Sequence, residues 1–330
     1  MSKTIRFKAI ILAGGSGERF WPLSTTEKPK QFLRVFGDDS LIRQTFTRLR
    51  GLAAVEDIHV VTSAALVRTT RKELPELPAR NIVGEPMRRD TGAAVALGVG
   101  LSGEDCVLGF FPADQLVQDA RGFRKAVKAA IRLASQQDRI VTLGIRPTYP
   151  ATGFGYVNPE SGRFVEKPDV AKAKAYLRKG YLWNAGMFIA RTDVFRQAFA
   201  EHAPELATLA APRKLGRAAL VAAYERLPRI SFDYAVMEKQ QGVGVVPCDV
   251  GWDDVGSYAA FEKYFKKDVV GNIALGEVNA VESDGCIAVA NGAKIALLGV
   301  QDMVVVTTKD AVLVVAKDKV AELKKLFRAK

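Results

Sequence analysis

The chain has 330 residues, of which 48% are hydrophobic and 25% are charged, and its formal net charge is +12 at pH 7. This length predicts a large hydrophobic core and two domains, and the composition is typical of a globular protein. No apolar run reaches the ~20 residues of a membrane-spanning helix. The short apolar run near the N-terminus leads directly into a glycine-rich loop, which favours a first strand over a signal peptide. We therefore expect no membrane partner.

The positive charge and the cysteines indicate which partners and which cellular location to expect. A basic surface can attract nucleic acid, membrane lipid or small anions. No nucleic-acid-binding signature is present, so we favour a solvated surface with a pocket for an anionic substrate and expect no nucleic-acid partner. The three cysteines, Cys106, Cys248 and Cys286, are far apart in apolar segments. This pattern predicts small buried side chains rather than disulfides or metal ligands, and a cytoplasmic location.

A glycine-rich loop follows the first predicted strand. The run Ile10–Leu12 is continuously apolar, as in a parallel strand that is covered on both faces. Three glycines between residues 14 and 17 allow a tight turn whose N–H groups can approach phosphate oxygens. Arg19 and Lys30 add positive charge, so the stretch suits a nucleoside triphosphate. We expect the nucleotide to be bound by Leu12, Gly14, Gly15 and Gly17.

The loop fits neither of two common phosphate-binding motifs. It lacks the Lys-Ser/Thr ending of a P-loop, and Phe20 stands where a dinucleotide-binding motif needs its third glycine. A nicotinamide-dependent oxidoreductase is therefore a poor alternative, and for the glycines alone a plain strand-to-helix connection remains open. The combination GGSGER…PKQF resembles the signature of sugar-1-phosphate nucleotidylyltransferases, and FWPLS…PKQFL resembles mannose-1-phosphate guanylyltransferases in particular.

Strands and helices alternate from the N-terminus to Ile145. The predicted strands are Ile10–Leu12, Ile58–Thr62, Asn81–Val83, Cys106–Phe111 and Ile140–Ile145. Helices are predicted after Ser40, before and after the third strand, and over residues 119–136, where apolar residues recur at helical spacing. The pattern predicts an α/β fold with a doubly wound, mostly parallel sheet, and the family resemblance implies that this is the Rossmann-like nucleotidyltransferase fold. Ligands bind such sheets beyond the carboxyl ends of the strands.

The rest of the chain divides into two parts. Residues 150–247 combine short strands with helices at 170–178 and 194–200, and we expect them to complete the sugar side of the same domain. After Gly271, short runs rich in Val, Ile and Ala predict a small C-terminal all-β, β-helix-like module. A closing helix over 317–330 is expected to turn Val320, Leu323 and Phe327 inward. The predicted domains are residues 1–268, catalytic, and 269–330, the β module with its helix.

Two acidic residues are candidates for holding a divalent cation. Asp114 directly follows a buried strand, and magnesium usually takes one or two carboxylates together with substrate phosphates and water. The segment PAD resembles the PADH element of the family, with Gln115 where histidine is usual. GWDDVGSY resembles its GWSDVGSW element, which implies a second metal ligand at Asp254 and leaves Asp253 at a variable position. A turn residue or a helix cap is the plain alternative for either aspartate alone.

Further segments resemble the family on the sugar and base sides. The sugar-side segments are TGFGYV, VEKP, WNAGMF and SFDYAVMEK. The resemblance implies sugar-phosphate binding by Gly153, Glu166, Lys167 and Asn184, whereas Trp183, Met187 and Phe188 are expected in the core. It implies nucleotide-base binding by Glu85, Arg89 and Thr91. Asp90 stands where the family usually has asparagine, which leaves the base preference open.

The resemblance implies a reaction in which GTP and mannose 1-phosphate give GDP-mannose and pyrophosphate. The implied catalytic residues are Arg19, Lys30, Asp114 and Asp254, with Mg²⁺ as cofactor. Another nucleoside triphosphate or sugar 1-phosphate, such as glucose 1-phosphate, remains open, and so does a catalytically silent regulatory relative. The β module is compatible with a homodimer, which the sequence leaves undecided.

Overall fold

The computed structural model describes residues 6–15, 17–103, 105–212 and 216–327. These residues form two compact units. The first, which we call the sheet unit, contains the described residues of 6–14 and 42–252. The second, which we call the loop unit, contains those of 15–41 and 253–327. The domain boundary expected between residues 268 and 269 stays a prediction. It divides the sequence into two consecutive domains, whereas each compact unit combines segments that are separate in the sequence.

The regular elements run as follows along the chain. The first eleven strands are β1 (Phe7–Ala13), β2 (Ile58–Ser63), β3 (Ile82–Glu85), β4 (Val107–Pro112), β5 (Leu116–Val117), β6 (Val141–Ile145), β7 (Tyr156–Val157), β8 (Phe164–Val165), β9 (Leu182–Arg191), β10 (Gly244–Cys248) and β11 (Trp252–Asp253). The helices are α1 (Leu41–Leu49), α2 (Val67–Glu73), α3 (Asp90–Ser102), α4 (Ala120–Gln136), α5 (Val170–Arg178), α6 (Thr192–His202), α7 (Pro204–Ala210), α8 (Arg217–Arg226) and α9 (Phe261–Tyr264).

The last six strands and the closing helix belong to the C-terminal module. They are the strands β12 (Ile273–Leu275), β13 (Val278–Val281), β14 (Ile287–Ala290), β15 (Ile295–Leu298), β16 (Met303–Thr307) and β17 (Val312–Ala316), followed by a 3₁₀ helix over Lys317–Phe327. Shorter 3₁₀ turns cover Glu18–Phe20, Lys30–Phe32 and Tyr258–Ala260.

A mixed sheet forms the centre of the sheet unit. Its main strand order is β10-β6-β9-β4-β1-β2-β3. Strand β1 pairs in parallel with β2 and β4, and β2 pairs in parallel with β3. Strand β9 runs antiparallel to both of its neighbours, β4 and β6. The reversed strand brings its first residues to the edge of the sheet where the parallel strands end.

The apolar patterns of the sequence explain how the sheet is covered. Ile10 and Ile11 are both buried, as the continuous apolar run predicts, and helix α3 packs against β1. Helix α3 is rich in alanine and glycine and lies buried along most of its length. A Cβ atom on its Gly98 would lie 2.6 Å from the ring of Phe110. The small side chains of α3 therefore allow the helix to approach the sheet closely.

The C-terminal module is built from short strands separated by tight turns. Strands β12, β14 and β16 pair in parallel, β13 pairs in parallel with β15, and β17 closes the first group in the antiparallel direction. Left-handed glycines at 276, 285 and 299 permit the turns between successive strands. Small and branched side chains such as Cys286, Ala288 and Ile295 fill the interior.

The predicted fold class is confirmed, and one local expectation needs correction. The closing helix is present as a 3₁₀ helix over Lys317–Phe327, and residues 328–330 lie outside the described residues. Val320 and Leu323 are buried as expected, because residues three apart eclipse in a 3₁₀ helix. Phe327 is 46% exposed instead of inward. The ten-residue strand β9 was not predicted, since Asn184 and Gly186 interrupt its apolar pattern.

Two further expectations concern single residues and membrane association. All three cysteines are free, with Cys106 and Cys286 buried and Cys248 half-buried. Within the described ranges, no helix combines the length and the apolar character that crossing a bilayer requires.

The contact between α3 and α7 gives a test of the packing. A Cβ atom on Gly100 would lie 2.1 Å from the backbone oxygen of Leu209. We expect Gly100→Ala to lower the free energy of unfolding by about 2 kcal/mol because the helices must separate. Urea denaturation measures this change. Gly216→Ala is the control, since a Cβ there meets no described atom within 4 Å, and equal stability of the two variants would contradict the expected packing.

Candidate active site

Three predicted site residues lie at one edge of the sheet unit. Gly14 follows β1, Glu85 ends β3, and Asp114 follows β4 after one further residue. The parallel register places the ends of these strands side by side, and the N–H group of Ala113 extends the ladder by donating to the carbonyl of Leu12 (2.9 Å). A Cβ atom on Gly14 would lie 3.5 Å from Oε2 of Glu85. The structure therefore brings Gly14 and this carboxyl group together.

Glu85 is a buried carboxyl group with one direct partner. Its side chain accepts a hydrogen bond at Oε1 from the hydroxyl of Tyr224 (3.1 Å). Burial raises the pKa of Glu85 to about 7, the hydrogen bond from Tyr224 opposes this rise, and the charge of Asp90 adds to it. The group can thus be either donor or acceptor near neutral pH, which suits recognition of a polar ring edge. Tyr224 is not predicted from the sequence, because nothing in α8 marks a residue that contacts β3.

Arg89 and Thr91 lie beside Glu85 and bind backbone groups. The guanidinium of Arg89 donates to the carbonyl oxygens of Tyr224 (2.7 Å) and Glu225 (3.0 Å), near the end of α8. The hydroxyl of Thr91 accepts from the N–H group of Phe232 (2.9 Å). Both side chains therefore fix the segments that surround Glu85. Their direct contact with a nucleotide base stays a prediction.

The glycine-rich turn within the loop unit depends on one left-handed residue. Gly17 has φ of 65°, and a Cβ atom there would lie 2.4 Å from the backbone nitrogen of Lys30. Its carbonyl accepts hydrogen bonds from the hydroxyl of Ser24 and from the N–H group of Phe20. Only glycine permits both this conformation and this close approach. The turn is thereby packed directly on the segment that carries Lys30.

Arg19, Lys30 and Asp254 come together in the loop unit. Lys30 is 7% exposed, and its Nζ donates to the backbone carbonyl of Asp254 (2.5 Å). A Cβ atom on Gly256 would lie 3.2 Å from Nη1 of Arg19 and 3.6 Å from Oδ2 of Asp254. The guanidinium of Arg19 and the carboxylate of Asp254 therefore border Gly256, and Lys30 binds the backbone of the same Asp254. This arrangement can receive the charged oxygens of a polyphosphate.

The neighbouring Asp253 has a structural role. Its carboxylate accepts from the N–H group of Val255 (2.7 Å), from Lys263 (2.6 Å) and from the hydroxyl of Tyr264 (2.9 Å). These contacts fix the backbone on which Asp254 stands. The hydroxyl of Tyr258 adds a bond to the carbonyl of Phe20 (2.9 Å) and ties this segment to the turn after the glycines.

The sugar-side residues form a polar cluster in the sheet unit around Asn184. The amide oxygen of Asn184 accepts from the hydroxyl of Thr142 (2.8 Å) and from the N–H group of Gly186 (3.0 Å). Its amide nitrogen donates to Oδ1 of Asp233 (3.0 Å). The side-chain orientation is therefore fixed, and the second N–H of the amide can serve a ligand.

Two carboxyl groups face each other in this cluster. Burial raises the pKa of Asp233 and of Glu166, and their mutual repulsion adds to the rise in Asp233. Lys167 donates to Oε1 of Glu166 (2.6 Å). A Cβ atom on Gly155 would lie 2.6 Å from Oε2 of Glu166, so a side chain there would displace this carboxyl group. Asp233 is not among the predicted sugar-phosphate-binding residues, although the segment SFDYAVMEK contains it.

Gly153 and Asp114 complete the set of predicted residues. A Cβ atom on Gly153 meets no described atom within 4 Å, so packing within the described residues does not require glycine there. Asp114 is half-buried. No group of three or more His, Cys, Asp and Glu side chains among the described residues could hold a metal ion by itself.

Comparison with known proteins identifies the family. The family described as "Nucleotidyl transferase" matches residues 8–269, and the "MannoseP isomerase/GMP-like beta-helix domain" matches residues 276–329. The chain belongs to the nucleotidyl transferase family. Within that family it groups with the mannose-1-phosphate guanylyltransferases, which confirms the resemblance seen in its motifs.

The individual relatives cover nearly the whole chain. The xanthan biosynthesis protein XanB of Xanthomonas campestris pv. campestris is 38% identical over 339 residues, which span 96% of this chain and 72% of the relative. A mannose-1-phosphate guanylyltransferase of Klebsiella pneumoniae is 35% identical over 96% of this chain and 72% of its own length. A crystal structure described as mannose-1-phosphate geranyltransferase from Thermus thermophilus is 36% identical and has a TM-score of 0.88, with 98% and 99% of the two chains covered.

The raised pKa of Glu85 gives a test by pH. The carboxyl group has an ordinary pKa of 4.5 and a folded-state pKa of about 7, so the folded protein holds this proton more tightly than the unfolded chain. The resulting stabilisation is complete below pH 4.5 and is lost as the pH rises through 7. We expect the wild type to lose about 3 kcal/mol more unfolding free energy over this interval than Glu85→Gln, since each pKa unit corresponds to about 1.4 kcal/mol.

Urea denaturation at a series of pH values measures this difference. Glu225→Gln, an exposed change on the same helix as Tyr224, is the control and should keep the pH dependence of the wild type. A parallel pH dependence for Glu85→Gln and the wild type would show that Glu85 does not hold its proton in this way.

Proposed function

We propose that the protein transfers the GMP group of GTP to mannose 1-phosphate and gives GDP-mannose and pyrophosphate. The observation that carries the proposal is that Arg19 and the carboxylate of Asp254 lie beside Gly256 while Lys30 donates to the backbone carbonyl of Asp254. The Klebsiella pneumoniae relative, which bears the name of this activity, supports the choice of substrates. The sugar-side cluster around Asn184 supplies the hydrogen-bonding groups that sugar hydroxyls require.

The chemistry requires positioning and charge stabilisation rather than a covalent intermediate. An oxygen of the sugar phosphate attacks the α-phosphorus of GTP in line, and the bond to the β-phosphate breaks as pyrophosphate leaves. We assign Arg19 to the β- and γ-phosphates and Lys30 to the α-phosphate and the incoming phosphate. Because Lys30 is buried, its charge acts in a medium of low dielectric and is fixed before the reaction begins.

We propose Mg²⁺ as cofactor, with Asp114 and Asp254 as its protein ligands. Carboxylate oxygens suit this ion, and two of them are enough where substrate phosphates and water complete the coordination. The bound ion would neutralise phosphate charge and orient the reacting groups. The motifs that carry the two aspartates are the basis of this assignment.

The nucleotide and sugar contacts are assigned from the residues in the sheet unit. We propose that Glu85 contacts the base, with Arg89 and Thr91 in support, and that Leu12 and the glycine loop approach the phosphates. Gly153, Glu166, Lys167 and Asn184 are proposed to bind mannose 1-phosphate. A cytoplasmic location fits the three free cysteines and a supply of GTP.

A substrate panel tests the reaction itself. GTP, ATP, UTP and dTTP are each combined with mannose 1-phosphate and with glucose 1-phosphate, and pyrophosphate release is measured with and without Mg²⁺. We expect GTP with mannose 1-phosphate to give the highest kcat/KM. A preference for another pair would assign the same chemistry to other substrates, and the absence of release from all eight combinations would favour a regulatory relative.

Lys30 is the residue whose removal tests the mechanism most directly. We expect Lys30→Ala to lower kcat by about 10²–10³, by analogy with the loss of one oxyanion-stabilising donor. Lys28→Ala is the matched control, because Lys28 is an exposed lysine in the same segment. Steady-state kinetics and a thermal unfolding curve are recorded for both variants. Turnover close to that of the wild type in a folded Lys30→Ala protein would exclude the assigned role.

A further inference from the structure

Gln115 is a buried residue whose side chain uses both ends of its amide. It is 5% exposed and directly follows Asp114. Its Oε1 accepts a hydrogen bond from the indole nitrogen of Trp252 (3.0 Å), and its Nε2 donates to the carbonyl oxygen of Ala185 (2.8 Å). The amide of Gln115 thus acts as an acceptor at one end and as a donor at the other. It ties the end of β4 to strand β9 and to the indole of Trp252.

The backbone of Gln115 is also held. Its carbonyl accepts from Nη2 of Arg48 (3.2 Å), which also donates to the hydroxyl of Thr45 (2.8 Å). Arg48 is 5% exposed, and its guanidinium lies 5.7 Å from the ring centre of Phe123. Burial lowers the pKa of Arg48 to about 10, so it remains charged at neutral pH. A buried charge is costly unless hydrogen bonds compensate it, and here one of those bonds fixes the residue next to Asp114.

The geometry points to Gln115 as the positioning residue that aims the Asp114 carboxylate at the divalent cation. This inference rests on the proposed function, in which Asp114 binds Mg²⁺. Residues that hold a metal ligand through hydrogen bonds commonly change metal affinity by about 10- to 100-fold when they are replaced. Gln115 acts through its neighbour and does not touch the substrate.

The chemistry of the amide predicts which replacements can substitute for it. Methionine matches the length of glutamine but would leave the Trp252 indole and the Ala185 carbonyl without partners in a buried place. Neutral histidine has one donor and one acceptor, as glutamine does. The family motif usually has histidine at this position. The same pair of hydrogen bonds therefore explains why either residue can follow the aspartate.

Direct metal binding by full-length Gln115→Met and Gln115→His tests the inference. Binding of Mn²⁺, used in place of Mg²⁺, is measured by electron paramagnetic resonance with GTP present and mannose 1-phosphate absent. We expect Gln115→Met to weaken Mn²⁺ binding by about tenfold or more and Gln115→His to remain within threefold of the wild type. Gly100→Ala controls for stability alone, since it should weaken folding without changing Mn²⁺ affinity.

The outcomes separate this inference from the proposed function. Unchanged Mn²⁺ affinity in Gln115→Met would overturn the positioning role of Gln115. A loss of Mn²⁺ affinity in Gln115→His as large as that in Gln115→Met would also overturn it. In either case, pyrophosphate release by the wild type would leave the proposed function intact. If Gln115→Met does not fold, Trp252→Phe removes the indole donor instead, and unchanged affinity there would also overturn the role. A wild type that neither binds Mn²⁺ nor releases pyrophosphate would refute the function, and the inference with it.

Discussion

The parallel pairing of β1, β2, β3 and β4 is the constraint on which the sheet unit depends. Strands that run in one direction end at one edge, so Gly14, Glu85 and Asp114 are brought to a common border although they are far apart in sequence. The reversed strand β9 adds its first residues to the same border, where Asn184 pairs with Gly144 near the end of β6. A single antiparallel strand thus adds Asn184 to an edge that already carries Gly14 and Asp114.

Burial of polar groups is the energetic consequence of this arrangement. Glu85, Glu166 and Asp233 all have raised pKa values, with burial as the largest cause. Each keeps at least one hydrogen-bond or ion-pair partner, respectively Tyr224, Lys167 and Asn184. Burial of these carboxyl groups lowers the stability of the folded protein. It also leaves the groups desolvated and fixed in position before a ligand binds. Such shifted groups are a common mark of functional sites.

In the loop unit, charged side chains are fixed in position because glycines allow them to lie close to the backbone. Gly17 permits a left-handed turn against the nitrogen of Lys30, and Gly256 leaves room between Arg19 and Asp254. The absence of a Cβ atom at each position allows charged side chains to be held near a backbone that presents N–H groups. The aromatic contact of Phe20 with Tyr258, 5.3 Å between ring centres, holds the two segments in register.

The sequence alone determined many of the elements and the family, because both depend on local patterns. Apolar periodicity defined β1, β2, β16 and α5, and the motifs around Arg19, Lys30, Asp114 and Asp254 identified the nucleotidyl transferases. Tertiary structure alone decided the direction of β9, the contact of Tyr224 with Glu85, and the partners of the Gln115 amide. These features join residues that are distant along the chain. A local pattern cannot specify them, since hydrogen-bond partners are chosen only when strands and helices pack.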